Sequence, residues 1–182
     1  CASRRAFSAG GDLQSGRAPD NEPTPGGMQI NLKIWNMPKP VIAAVHGYAV
    51  GQGCELAGTC DMTIAADDAV MGEIQIRHGF GPPILITPFL TGLKQAKELL
   101  LLGERINAQE ALRLGLVNKV VPANELMATA EDWAKKIAAL PLKAVRQNKL
   151  LVNRVYEIAG FREALDYRAD ATLRRDVFTR CL

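Results

Sequence analysis

The most continuous apolar run in the first half of the chain is Val41-Ile42-Ala43-Ala44-Val45. A short, uninterrupted run rich in β-branched residues predicts a strand covered on both faces, as strands of parallel sheets are. It ends at His46-Gly47. A glycine-bearing turn follows and opens into small, helix-compatible residues from Gly51 to Gly58, after which Asp61 to Ala66 reads as a second strand. Upstream, Ile30, Leu32, Ile34 and Trp35 form a helical patch that stops before Pro38 and Pro40. From residue 80 onward the periodicity becomes helical. Pro82 and Pro83 suit a helix start, and an apolar stretch from Leu93 to Leu102 continues to Gly103. Asn107 reads as an N-cap with Glu110 three residues on, and Gly115 closes that helix after Leu114. Val117 to Val121 is a strand ended by Pro122, and residues 123–140, 142–158 and 161–178 form three amphipathic helices separated by Pro141 and Gly160. The pattern predicts an α/β chain, mixed in its first half and helical in its second, with no internal repeat.

Residues 14–28 break the pattern: they are polar and hold three prolines and three glycines, which predicts a mobile surface loop. The composition, 48% hydrophobic and 23% charged over 182 residues, is that of a globular domain and excludes disorder or a disulfide-built miniprotein. A net charge of +3 is too mild to imply nucleic-acid or membrane-surface binding. Its distribution is uneven. Residues 1–90 carry 6 Lys and Arg against 8 Asp and Glu, and residues 91–182 carry 16 against 11, so the basic excess lies in the second half. That excess fits a phosphorylated ligand and equally fits solvated helix faces. The four cysteines, Cys1, Cys54, Cys60 and Cys181, lack zinc-ligand spacing, so no metal site is expected and the thiols read as buried or incidental groups of a reducing compartment. No run approaches the roughly 18 uncharged apolar residues of a membrane span.

Two glycine-bearing turns carry the candidate chemistry. They are Ala6-Phe7-Ser8-Ala9-Gly10-Gly11-Asp12-Leu13 and His46-Gly47-Tyr48-Ala49-Val50-Gly51-Gln52-Gly53-Cys54-Glu55. Small residues let a backbone approach a ligand, and a turn opening into a helix leaves N–H groups that can hold an oxyanion. The spacing of Gly47, Gly51 and Gly53 is not that of a dinucleotide-binding turn.

Together these segments closely resemble the enoyl-CoA hydratase/isomerase, or crotonase, family. The resemblance runs on through Lys39 to Ala57, Cys60-Asp61, Met71 to Arg77, Ile106 to Ala111 and Gly115 to Pro122, covering nearly the whole chain. It implies a crotonase-like spiral of ββα units over residues 1–122 and a C-terminal helical trimerisation region over residues 123–182. It also implies an acyl-CoA thioester as ligand, no cofactor beyond the coenzyme A of the substrate, and a homotrimer or hexamer. No nucleic-acid partner is implied. The location it implies is cytoplasmic or an organellar matrix. The chain begins at Cys1 rather than Met and ends at Thr179-Arg180-Cys181-Leu182, so opening strands and a C-terminal tail of the family are expected to lie outside it.

Residue by residue, the resemblance makes the backbone N–H groups of Ala9 and Gln52 the oxyanion hole for the thioester carbonyl. Gly10, Gly11, Asp12, Leu13 and Gly51 line the substrate. Losing one such donor typically costs 10²–10³ in rate. Glu55 matches the family glutamate that activates water. The second family glutamate falls on Gln75, an amide, which hydrogen-bonds but does not transfer a proton near neutral pH. Hydration or dehydration of an enoyl-CoA through an enolate is the leading expectation. A catalytically reduced acyl-CoA binder and an enoyl-CoA isomerase are the alternatives. If residues 73–75 are extended, Glu73 points to the same side as Gln75 but about 6–7 Å away. His78 reads as a structural loop residue, Asp12 and Asp61 as turn or strand caps, and Phe161 as a packing residue.

Overall fold

The computed structural model describes residues 5–11, 25–79 and 81–169. Each apolar run places one strand in each of two sheets. From β2 (Ile42–Val45) the chain turns at His46-Gly47 into β3 (Tyr48–Val50), and α2 (Gln52–Thr59) follows. The next turn of the spiral repeats this with β4 (Met62–Ala66) and β5 (Val70–Gly72). One sheet, order β2-β4-β7, is parallel throughout, with β7 at Lys119–Val121. In the other, β1 (Ala6–Ser8), β3 and β5 run parallel, and β6 (Ile106–Asn107) closes the edge antiparallel to β5.

The double-sided cover expected of Val41 to Val45 is only partial, with Ala43 and Val45 buried and Ile42 and Ala44 partly exposed, whereas Thr63 to Ala66 of β4 are all buried. On one side, Ala43, Val45, Ala49, Cys54, Ala57, Ala65 and Met71 make a core of mostly small side chains that lets α2 lie close to both sheets. On another, α6 (Leu126–Ala138) sets Leu126 and Ala130 against Ile64, Ala66 and Val121. A third core joins distant parts of the chain. Phe161 of α8 (Phe161–Ala169) lies against Trp35 of α1 (Pro25–Asn36), ring centroids 4.4 Å apart, and edge-on to Phe89 at 5.3 Å. Phe161 is thus a packing residue, as read from the sequence.

Several elements differ from the sequence pattern. Residues 25–28, expected in a loop, start α1, with Pro25 at the first helical position where its missing N–H costs nothing. The rest of that loop, residues 14–24, lies outside the described residues. No helix starts at Pro82 or Pro83: residues 81–86 are irregular, and the short α3 spans Thr87–Leu90 with Pro88 in its first turn. α4 (Leu93–Leu102) ends at left-handed Gly103. α5 (Ala108–Arg113) is capped by Asn107, whose side chain accepts from the Glu110 N–H at 2.9 Å. The reciprocal half of that box is absent, because the Glu110 carboxylate binds Arg113 instead. α7 (Leu142–Ile158) fits its expected span, and residues 161–169 of the last predicted helix are described. No described helix is long and apolar enough to cross a membrane.

Candidate active site

The site forms where the end of β1 meets the start of α2. Gly10, with φ 91°, turns the chain away from β1 in a conformation that a side chain would strain. A Cβ added there would sit 3.0 Å from the Val50 carbonyl and 3.6 Å from the Gln52 nitrogen, so the two glycine-bearing turns lie against each other. Gly51, the N-cap of α2, has φ 57° and ψ −127°, again a glycine conformation. Its N–H is spent on the Gly72 carbonyl at 2.8 Å, which ties the turn to β5. The hydrogen bonds of α2 start with Cys54 N–H and Glu55 N–H, both donated to the Gly51 carbonyl. The N–H groups of Gln52 and Gly53 therefore precede the helical ladder, at the positive end of the helix dipole.

Gln52 sits at this helix start without strain, since no described non-glycine residue has a positive φ. Ala9 directly follows β1 and is exposed, with Gly10 N–H turned back onto Ser8 Oγ at 3.3 Å. Gly11 lies near the Gln52 side chain, its ideal Cβ 4.0 Å from Gln52 Oε1. Asp12 and Leu13, also expected to line the substrate, lie outside the described residues.

One helical turn into α2, Glu55 is fully buried. Its Oε1 accepts from Gln75 Nε2 at 3.1 Å and from the Ile84 N–H at 3.3 Å. The second contact explains the irregular path of residues 81–86, which delivers a backbone donor to a buried carboxylate that pays a large desolvation cost if left bare.

Gln75 sits in a one-turn 3₁₀ helix, Ile74–His78, that ends at left-handed Gly79. This turn corrects the extended reading of residues 73–75. Instead of standing 6–7 Å apart, the side chains meet, and Gln75 Nε2 donates to Glu73 Oε2 at 2.9 Å. Glu73 is 2% exposed, and its other oxygen accepts from Thr87 Oγ1 at 2.6 Å. Burial holds the Glu73 carboxyl above its ordinary pKa, an effect larger than the opposing influence of the bonds from Thr87 and Gln75. The neighbouring Cys54 thiol is pushed well above its ordinary value, first by burial and then by the Glu73 charge.

The site thus holds two buried carboxylates bridged by one amide. Thr87 and the Ile84 N–H carry no local motif, and only the fold brings them to the glutamates. His78 is exposed at the end of its turn. Asp61 accepts from the Val41 N–H at 2.7 Å, the strand-entry cap expected of it. Among the described residues no cluster of His, Cys, Asp or Glu is arranged to hold a metal ion.

The chain as a whole resembles known proteins. The chain is 42% identical over 131 residues to a short-chain-enoyl-CoA hydratase of Clostridium acetobutylicum, covering 70% of this chain and 50% of that protein. It is 39% identical over 155 residues to a carnitinyl-CoA dehydratase of Escherichia coli K12, covering 80% and 59% respectively. The chain thus spans little more than half the length of these relatives. A crystal structure of an enoyl-CoA hydratase/isomerase from Xanthobacter autotrophicus Py2 superposes with a TM-score of 0.78 at 39% identity, covering 81% of this chain and 55% of that one. A probable enoyl-CoA hydratase from Mycobacterium thermoresistibile superposes at 0.82 with 31% identity, covering 96% and 76%. A sequence model described as enoyl-CoA hydratase/isomerase matches residues 1–178, and the chain belongs to that family.

Proposed function

We propose that the chain carries out hydration or dehydration of an enoyl-CoA thioester through an oxyanion-stabilised enolate. The observation that carries this reading is the fully buried Glu55 carboxylate, one turn past the helix start that offers the Gln52 N–H. The thioester carbonyl accepts from the Ala9 and Gln52 N–H groups. Glu55 takes a proton from water as the water oxygen bonds to the β-carbon, and the π electrons move through the α-carbon onto the carbonyl oxygen. The enolate collapses, Glu55 returns the proton to the α-carbon, and one water has been added across the double bond. The atoms balance with a single carboxylate and no cofactor besides the substrate's own coenzyme A. The named activities of the relatives, enoyl-CoA hydratase and carnitinyl-CoA dehydratase, support the same class of reaction.

A second reading rests on Gln75. Its amide transfers no proton, so a two-carboxylate hydratase cycle is blocked and the chain becomes an acyl-CoA binder with reduced or no turnover. Loss of enoyl absorbance with trans-2-enoyl-CoA esters of several chain lengths separates the two. Turnover that drops about 10²–10⁴-fold in Glu55→Gln supports hydration. Binding of the esters without turnover at any length supports the second reading.

A homotrimer or hexamer is part of the proposal. α7 has no buried residue in the isolated chain and exposes Leu150, Leu151, Val155 and Ile158, a face that a second subunit would cover. Light scattering reads the assembly directly. A reducing compartment, cytoplasmic or organellar, fits the free thiols of Cys54 and Cys60.

A further inference from the structure

The Gln75 side chain is 4% exposed, and its two amide hydrogens go to two different carboxylates, Glu55 Oε1 at 3.1 Å and Glu73 Oε2 at 2.9 Å. An amide has one donor end and one acceptor end. With the donor end fixed between two carboxylates, the acceptor end is fixed as well, and Gln75 Oε1 is buried with no hydrogen-bond partner among the described residues. A buried acceptor left bare costs about 1–3 kcal/mol, so its retention calls for a donor supplied from outside the chain. The amide carbon lies beside the oxyanion turn, 3.8 Å from where a Cβ on Gly51 would stand.

We propose that Glu73 is a positioning residue that turns the Gln75 amide so that its oxygen accepts a hydrogen bond from the water, or the hydroxyl, at the β-carbon of the bound thioester. This rests on the reading of the site as one that takes enoyl and 3-hydroxyacyl thioesters. Gln75 then does one half of a carboxylate's work: it holds the oxygen nucleophile and leaves proton transfer to Glu55. Thr87 secures the arrangement by occupying the other Glu73 oxygen, which keeps that carboxylate from rotating away from the amide. Among the described residues the titratable groups beside Glu73 are the Cys54 thiol and, across the shared Gln75 amide, Glu55, both on α2, and neither supplies the donor that Gln75 does.

The test compares two unreactive ligands, S-(3-hydroxybutyl)-CoA and S-butyl-CoA, by calorimetry on the full chain. These thioethers lack the carbonyl needed for dehydration and differ only in the hydroxyl. The wild type is expected to bind the hydroxylated ligand about 3- to 10-fold tighter, the reach of one neutral hydrogen bond. Glu73→Met and Gln75→Met remove the preference while S-butyl-CoA binds as before. Glu73→Gln keeps it, because the new amide still offers an oxygen to Gln75. With crotonyl-CoA, Glu73→Met lowers kcat about 10-fold or more at unchanged KM, and Glu73→Gln stays within about 3-fold of wild type. If the methionine variant does not fold, Glu73→Ala removes the same acceptor with less bulk and takes its place. A hydroxyl preference absent in wild type, or intact in Glu73→Met, overturns the proposal while leaving acyl-CoA binding standing. Equal loss in Glu73→Gln and Glu73→Met also overturns it, since charge rather than orientation would then be what matters. Failure to bind either thioether or butyryl-CoA overturns the reading of the site itself, and the proposal with it.

Discussion

Ser8 and Gly53 are in contact so close that no side chain fits between them: a Cβ on Gly53 would stand 2.6 Å from the Ser8 carbonyl oxygen and 2.7 Å from Ser8 Cβ. This contact sets the distance between the end of β1, which carries Ala9, and the start of α2, which carries Gln52. Gly53→Ala must push the two apart, and overpacking of this kind costs about 1–3 kcal/mol. The expected result is a lower melting temperature together with at least a 10-fold loss in acyl-CoA turnover or affinity. Gly11→Ala is the control for the melting temperature alone, since, its chain neighbours aside, its Cβ approaches no described atom closer than the Gln52 side chain at 4.0 Å. Equal tolerance of both substitutions would show that the spacing of the two turns does not matter.

Lys149 of α7 reaches under α1 and the entry to the first sheet. Its ammonium donates to the carbonyls of Ile34 and Lys39 at 3.0 and 3.3 Å and to Asp61 Oδ2 at 2.8 Å, with its side chain 6% exposed. Lys149→Met keeps the stem but removes the cation that joins the Ile34 and Lys39 carbonyls to Asp61, leaving Ile34 O with the Met37 N–H and Asp61 Oδ2 with the Val41 N–H. The expected loss is about 1–2 kcal/mol in urea unfolding, above that of an exposed pair such as Lys135 with Glu131. A loss under about 0.5 kcal/mol would make the cluster ornamental.

How much of this was legible in the sequence depended on range. The β2 and β4 runs, the Asn107 cap and the span of α7 are short-range patterns, and each forms as its residues predict. β3, β5 and β6 are only two or three residues long, too short for any period, and they exist because the spiral supplies neighbours for Tyr48, Val70 and Ile106. The Glu73–Gln75 contact lies outside what an extended period can show, because Ile74 begins a 3₁₀ turn. Pro82 and Pro83 read as a helix start, but tertiary demand overrides that local cue by sending the Ile84 N–H to Glu55. The pairing of Glu55 with Gln75 was legible only through the family resemblance, since 20 residues separate them.

The raised pKa of Glu73 carries a pH signature. Its folded-state value lies above the unfolded value of 4.5, with burial the leading cause. A group shifted in this direction contributes stability that is fully present below its unfolded pKa and is lost as pH rises through the folded pKa. Glu73→Gln removes the titration while keeping an acceptor for Gln75. Relative to wild type, the variant is therefore expected to gain stability as pH rises from about 4.5 toward neutrality and to show no such gain below. Urea unfolding at pH 4.5, 6 and 8 reads the difference, and a difference that is flat or of the opposite sign contradicts the assignment.

Placing a carboxylate at position 75 is the obvious way to supply the missing acid–base group, and the geometry argues that it fails alone. Gln75→Glu replaces a donor shared by two carboxylates with a third carboxylate, about 3 Å from each, in a site that already resists charge. Such a cluster keeps at least one proton to higher pH, and the variant is expected to be less stable than wild type by about 2–4 kcal/mol. The paired exchange Glu73→Gln/Gln75→Glu keeps two carboxylates and one amide, with the amide now donating from position 73 and Thr87 still able to bond its oxygen. The two substitutions should therefore be non-additive by about 1–3 kcal/mol in favour of the double variant, a coupling within the range of residues in direct contact. Hydration activity should follow the same order, the double variant exceeding Gln75→Glu by 10-fold or more, because only there is a proton-transferring group at position 75 free of a like-charged neighbour at position 73. Four urea-unfolding curves and four crotonyl-CoA progress curves complete the cycle, and strict additivity in both would mean that Glu73 and Gln75 do not act as a unit.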